Sequence, residues 1–158
     1  TFVFTDGMKA TEVAQAAPDA LEGSFGTAPA GDPEAEAAKL FREMYQEAYG
    51  ELPPQPFIDT AYDATMLMAL AIEKAGSTEG EAIRDALHEV SKAPGEVILL
   101  GEFAKAKELI AAGQDINYEG AAGSQDFDEA GDVPGTYSHW AIEGGEIVEV
   151  ALVRAGET

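Results

Sequence analysis

Asp6 stands directly after the apolar run Phe2-Val3-Phe4 and before a helix-like stretch. In open α/β sheets, ligands bind outside the carboxyl ends of strands. A carboxylate at that point is placed to accept hydrogen bonds from a ligand ammonium. Asp-Gly is also a common turn and Asp a common helix cap, and either role accounts for Asp6 without a ligand. Asp59 and Asp63 lie four residues apart at the head of an apolar segment. Paired carboxylates do acid–base work when burial separates their pKa values. The plainer reading is that both are first-turn acids favoured by the helix dipole. The run Asp126-Phe-Asp-Glu-Ala-Gly-Asp132 opens like a calcium loop, but Ala130 and Tyr137 fill the fifth and twelfth positions, where carboxylates are needed. It reads as a turn between loop and strand. His88 falls on a polar helix face and His139 alternates with Trp140 in a strand. Neither has a second ligand at metal spacing. With no serine elbow, phosphate loop or dinucleotide fingerprint, the residues argue for no catalysis, no metal site and no cofactor.

Composition narrows the partners. The 158 residues suit one domain or a piece of something larger. Thirty Asp and Glu against nine Lys and Arg give a net charge of −21. That field repels phosphate backbones and anionic lipid, so neither nucleic acid nor a membrane surface is expected as a partner. No apolar run approaches the ~18–20 residues that span a bilayer. Cysteine is absent, which removes disulfides, thiolate nucleophiles and cysteine-ligated zinc. The acid excess suits a salt-rich environment, or simply a well-solvated surface. Because the chain opens inside an apolar run, earlier sequence is expected before Thr1.

The elements that must position these residues follow from pattern. Residues 1–5 read as a strand stopped by Asp6-Gly7. A weak helix runs from Met8 to Ala17 with Pro18 as its stop, and 23–28 read as a short strand. A linker, Pro29 to Pro33, opens a helix through Tyr49. There Ala37, Leu40, Phe41, Met44, Tyr45 and Ala48 recur at three- and four-residue spacing, and Gly50 ends it. After Pro53, Pro54 and Pro56, residues 57–75 are apolar nearly all round, which predicts a buried helix ended by Gly76. Thr78-Glu-Gly-Glu81 has the form of a capping box, opening a helix with Ile83, Ala86, Leu87 and Val90 on one face. A further helix covers about 101–112. Residues 117–135, rich in Gly, Asp and Ser, read as loop. Residues 137–142 and 146–153 flank Gly144-Gly145 as a hairpin. Roughly four strands and five helices imply an α/β fold with parallel pairing. The strands at the two ends do not complete a sheet on this reading and want partners from elsewhere.

Several stretches taken in order resemble a known family. They are Phe4-Thr-Asp-Gly-Met8, the segment 20–28, Ala61-Tyr-Asp-Ala-Thr-Met-Leu67 running on to Gly76, residues 81–87, Tyr118-Glu-Gly120, residues 126–132, and Tyr137-Ser-His-Trp-Ala-Ile142 with its Gly-Gly turn. Their order and spacing resemble the C-terminal part of type I periplasmic solute-binding proteins of branched-chain amino acid ABC transporters. The resemblance covers essentially the whole chain. It implies the C-terminal portion of a two-lobed type I periplasmic-binding fold, truncated, in which two α/β lobes close over a ligand. It further implies that residues 1–30 and 135–158 belong to the second lobe and 31–134, mostly helical, to the first.

By the same resemblance, the acidic residue that grips the ligand ammonium falls on Asp6, and the aromatic that packs on the ligand from the other lobe falls on Phe57. Asp stands where close amino-acid binders often carry Glu, which keeps the charge and shortens the reach. A Phe heading a buried helix is equally well explained as core. The expected function is therefore that of a periplasmic or extracellular solute-binding component of an ABC importer. It would bind a branched-chain amino acid or related amine-bearing ligand and partner a membrane permease, without catalysis or cofactor. The alternatives are the ligand-binding domain of a sensor or receptor with the same clamshell, and a stand-alone interaction module without small-molecule affinity.

Overall fold

Three clusters of buried apolar side chains organise the described residues around two separate sheets. The computed structural model describes residues 1–52 and 56–154; Pro53 and Pro54 of the proline-rich loop and the last four residues of the 135–158 segment lie outside them. Strand β1 (Val3–Phe4) ends in a 3-10 turn at Asp6–Met8, followed by two short helices, α1 (Thr11–Ala16) and α2 (Pro18–Leu21). Pro18 stops α1 as expected but also opens α2, because a proline at the first helical position has no N–H to leave unpaired. Strand β2 (Phe25–Ala30) pairs in parallel with β1 and antiparallel with β6 (Thr136–Glu143), which in turn forms the hairpin with β7 (Glu146–Arg154). The order is β1-β2-β6-β7. The strands at the two ends of the chain thus find their partners in one another, against the expectation that these must come from elsewhere. Trp140 and Ile142 of β6, Ala28 of β2 and Ala14 of α1 form the core beneath this sheet.

Between β2 and β6 the chain builds a second, mostly helical part. Helix α3 (Glu36–Tyr49) ends on Gly50 at φ 95°, as its periodicity predicts. Helix α4 (Ile58–Ala75) ends on left-handed Gly76. It buries Leu67, Leu70 and Ala71, yet leaves Met68 46% exposed along with Ala61 and Ala64. It is therefore buried on one side only, not all round. Helix α5 (Gly80–Val90) buries Ala86 and Val90, with Ile83 and Leu87 packed beside them. The capping box does not form. The helix begins at Gly80 rather than after Thr78, and the Ser77 hydroxyl accepts the Glu79 N–H instead, at 3.1 Å.

Strand β3 (Glu96–Ile98), helix α6 (Phe103–Ala111), β4 (Ile116–Gly120) and β5 (Gly123–Ser124) complete this part. Here β3 and β4 are parallel and β5 antiparallel to β4. The 117–135 stretch is thus not all loop. Ile116, Tyr118, Ile98, Leu70 and Val90 form the main core. Among the described residues no helix is long and apolar enough to cross a membrane.

Candidate functional site

The linker after β2 carries the chain from one sheet toward the other, and a cavity of about 310 Å³ opens beside it. Its walls come from both parts. Lys9 and Glu149 stand on the side of the four-stranded sheet. Phe41 and Arg42 of α3, the head of α4 and Ala121 form the opposite side, with Asp32 of the linker between. Such a volume falls in the range of small-molecule clefts.

Phe57 lines this cavity. It precedes α4 at φ 78°, a left-handed conformation unusual for a side chain of this size, and the residue is 37% exposed. Backbone strain of this kind occurs where the surroundings over-determine the geometry, frequently at ligand sites. Asp6 is half-buried in the 3-10 turn, where its main-chain carbonyl accepts the Lys9 N–H. It does not line the cavity; Lys9, three residues on, does.

The Lys9 ammonium donates to the Ser138 hydroxyl at 3.0 Å and lies 3.5 Å from the Glu149 carboxylate, to which Ser138 also donates. Asp32 is paired with Arg154 at the end of β7. Arg42 donates to the carbonyl of Pro33. Asp59 accepts the N–H of Thr60 at 2.8 Å. The cleft wall therefore mixes two aromatic rings with charges of both signs.

Asp63 holds the second wall together. The sequence suggests a first-turn acid, but Asp63 is one turn deeper and 1% exposed. Its Oδ1 accepts the Tyr118 hydroxyl and the Ala121 N–H, each at 2.8 Å, and its Oδ2 accepts the Ala122 N–H at 2.8 Å and the Gln125 amide at 3.4 Å. A Cβ on Gly120 would collide with this carboxylate, so glycine is required there. Burial pushes the Asp63 carboxyl above its ordinary range, against the pull of the Ala122, Ala121 and Tyr118 hydrogen bonds. Burial, with the Asp63 charge beside it, likewise pushes the Tyr118 hydroxyl up. The anchor fixes against α4 the turn whose Ala121 lines the cavity.

Elsewhere the candidates resolve into structure. Asp128 accepts the N–H groups of Ala130 and Asp132 at 2.8 and 2.9 Å, a turn rather than a calcium loop. Those bonds, that from Asp132 first, hold its carboxyl below the usual range. His88 packs on Phe127 and His139 on the edge of Phe25. Among the described residues no cluster of three metal-binding side chains exists. Lys9 and Arg42 are the cleft-lining residues that pattern reading passes over, whereas Asp63, singled out there with Asp59, is a buried anchor behind the wall. Only an acid buried in an otherwise apolar helix, as Asp63 is, left a signal in the sequence.

Comparison with known proteins agrees with this architecture. A family model described as periplasmic binding protein matches residues 1–131. A substrate-binding protein of the chemotactic signal transduction system, BasB, from Halobacterium salinarum is 41% identical over 78 residues, 49% of this chain and 19% of that protein. The leucine-binding protein LivK of Thermotoga maritima superposes with a TM-score of 0.65 and 26% identity over 96% of this chain and 37% of its own. LivJ of Streptococcus pneumoniae, the substrate-binding protein of a branched-chain amino acid transporter solved with isoleucine, gives 0.63 and 21% over 96% and 36%. The chain thus spans well under half the length of these relatives.

Proposed function

Because the chain belongs to the periplasmic binding protein family and carries part of the type I fold of that family, we propose that it is the solute-binding component of an ABC importer, taking an amino acid of the branched-chain type or a related amine-bearing ligand. Family membership implies an extracytoplasmic location and a small-molecule partner, and the family and fold are those of solute-binding proteins rather than enzymes. The single observation that carries the ligand reading is the cleft beside the linker, with the strained Phe57 on its wall. On this reading residues 1–30 and 135–158 belong to one lobe and 31–134 to the other. Phe57 covers the apolar part of the ligand, and Asp6, which stands off the cavity wall in the turn before Lys9, meets the ligand ammonium only in the closed form that ligand binding favours and a membrane permease recognises.

A second reading is favoured by the relative from Halobacterium salinarum, a substrate-binding protein of chemotaxis. In it the same closure is read by a signal transducer, and the solute chemistry is shared.

A thermal-shift screen against the common amino acids tests the solute-binding claim. A ligand at ~100 times its Kd stabilises by about 2.7 kcal/mol, several degrees in Tm for a chain of this size. The reading expects a shift with leucine, isoleucine or valine that Asp6→Asn and Phe57→Ala each diminish. A shift unaffected by either substitution removes those two residues from the site, and a flat screen removes the function.

A further inference from the structure

The crossing that leaves β2 has open space on both of its sides. On one side is the cleft of about 310 Å³ and on the other a second cavity of about 490 Å³, and Pro29, Ala30 and Asp32 line both. The turn after β4 is divided in the same way, with Ala121 on the cleft and Ala122 on the second cavity. Between the two cavities the crossing bears closely on that turn. A Cβ on Gly31 would lie 3.0 Å from Ala122 Cα, and Ala122 is itself held by Asp63, whose Oδ2 accepts its N–H at 2.8 Å. Arg154 of β7 pairs with Asp32 and ties the crossing to the four-stranded sheet. The crossing is thus pinned at its middle and unfilled to either side. Packed interiors leave few voids larger than a water molecule, so space on both sides of one segment marks where two parts can tilt. Bodies that pivot on such a point widen one cavity as they narrow the other.

We propose that Tyr137 and Ser124, on opposite walls of the second cavity, are positioning residues that set the affinity of the cleft without touching the solute. The assignment rests on the solute-binding reading above and adds to it how closure is controlled. Tyr137 of β6, 45% exposed, stands on the side of the four-stranded sheet, and the exposed Ser124 of β5 on the side of the helical part. Neither lines the cleft. With Gly31 on Ala122 as the pivot, tilting toward an open cleft brings these two walls together, and tilting toward a closed cleft parts them. Volume added between them therefore opposes opening, and volume removed permits it. Only the closed form holds the solute from both sides. Apparent affinity scales with the fraction of molecules in the binding-competent form, so a shift in that fraction passes directly into Kd.

Calorimetric titration of the intact protein with leucine, isoleucine and valine, beside stopped-flow dissociation, tests this with variants of opposite sign. Ser124→Trp, which fills the second cavity, should tighten binding by about twofold to thirtyfold, the span over which substitutions away from a ligand alter coupling to its site. The gain should come from slower dissociation. Tyr137→Ala, which empties the cavity, should weaken binding over a similar span by hastening dissociation. A substitution that only damages the fold does not tighten binding, so the gain in Ser124→Trp separates positioning from a structural role. Weaker or unchanged binding in Ser124→Trp, or unchanged binding in Tyr137→Ala, overturns the assignment while leaving solute binding intact. Absence of heat with all three amino acids on the unsubstituted protein overturns the solute-binding reading, and the assignment falls with it. Circular dichroism of each variant guards against misfolding. Tyr137→Leu and Ser124→Phe supply the same changes in smaller measure should either first choice not fold.

Discussion

Four donors converge on Asp63 from β4, the turn after it and Gln125, and this explains how a carboxylate persists at 1% exposure inside an apolar helix. An amide in its place turns its NH₂ group toward the backbone N–H of Ala121 or of Ala122 whichever way it turns, and neither of these can reverse as the Tyr118 hydroxyl and the Gln125 amide can. Asp63→Asn should therefore destabilise the protein by about 1–3 kcal/mol for each donor left buried and unpaired. The pH dependence has a defined sign. Burial raises the native carboxyl above its ordinary value of 3.8, so the folded state holds that proton more tightly than the unfolded state. The stability this group contributes is fully present below pH 3.8 and is lost as pH rises through the raised native value. Asn has no such proton. Urea denaturation of both proteins from acid to neutral pH should show a stability gap that narrows as pH rises. A gap that widens would show that the hydrogen bonds to the ionised form outweigh its desolvation.

At the scale of elements, β2 is the strand on which the four-stranded sheet depends, and Gly26 is its tightest point. It faces Phe4 on one neighbour and Trp140 on the other. A Cβ there would lie 2.6 Å from both the Phe4 carbonyl oxygen and Trp140 Cζ2. The indole, fully buried, stacks on Phe4 with centroids 6.1 Å apart. Gly26→Ala should wedge β1 from β6 at about 1–3 kcal/mol, the range for overpacking. It should also move the single tryptophan toward water, read as a red shift in emission. Unchanged emission would mean the sheet absorbs the methyl without parting. Elements of this kind differ in how far the sequence announces them. The α3 stripe, the helix stops at Gly50 and Gly76 and the Gly144-Gly145 hairpin are written locally, in spacing and in residues that tolerate positive φ. Strand β4 is not. Ile116, Asn117 and Tyr118 are all buried, since β3 and β5 flank the strand and α4 and α5 pack on it, so no alternation survives to be read. The cleft fails for the same reason on a larger scale. Phe57 is reached through family resemblance, but Lys9, Arg42 and Glu149 share no spacing, and only the two crossings between the sheets bring them to one cavity.

Across the whole molecule, attraction and repulsion between charges are unequal. The ion pairs of Lys39 with Glu34 and Arg84 with Asp85 are half-exposed or more on both sides, and pairs of that kind contribute about 0–1 kcal/mol each. Against them stands the repulsion among the carboxylates in excess, 21 net charges over a surface of 9244 Å². Two like charges ~12 Å apart repel by roughly 0.3 kcal/mol in water, and a great many such pairs exist in the folded state, fewer in the expanded chain. Raising salt shortens the screening length from ~30 Å at 0.01 M to ~3 Å at 1 M. That removes long-range repulsion almost entirely, while contact pairs near 3 Å keep part of their attraction. Repulsion therefore loses more. Thermal unfolding should shift upward between 0.01 and 1 M NaCl by about 4–8 °C, equivalent to a net gain of about 2 kcal/mol for a chain of this size. Sucrose matched in osmolality separates this from general exclusion at the surface, since it strengthens burial without screening charge. An equal rise in sucrose would place the effect in the apolar cores, and a fall in Tm with NaCl would mean that the ion pairs, against their exposure, carry more of the fold than the excess acids oppose.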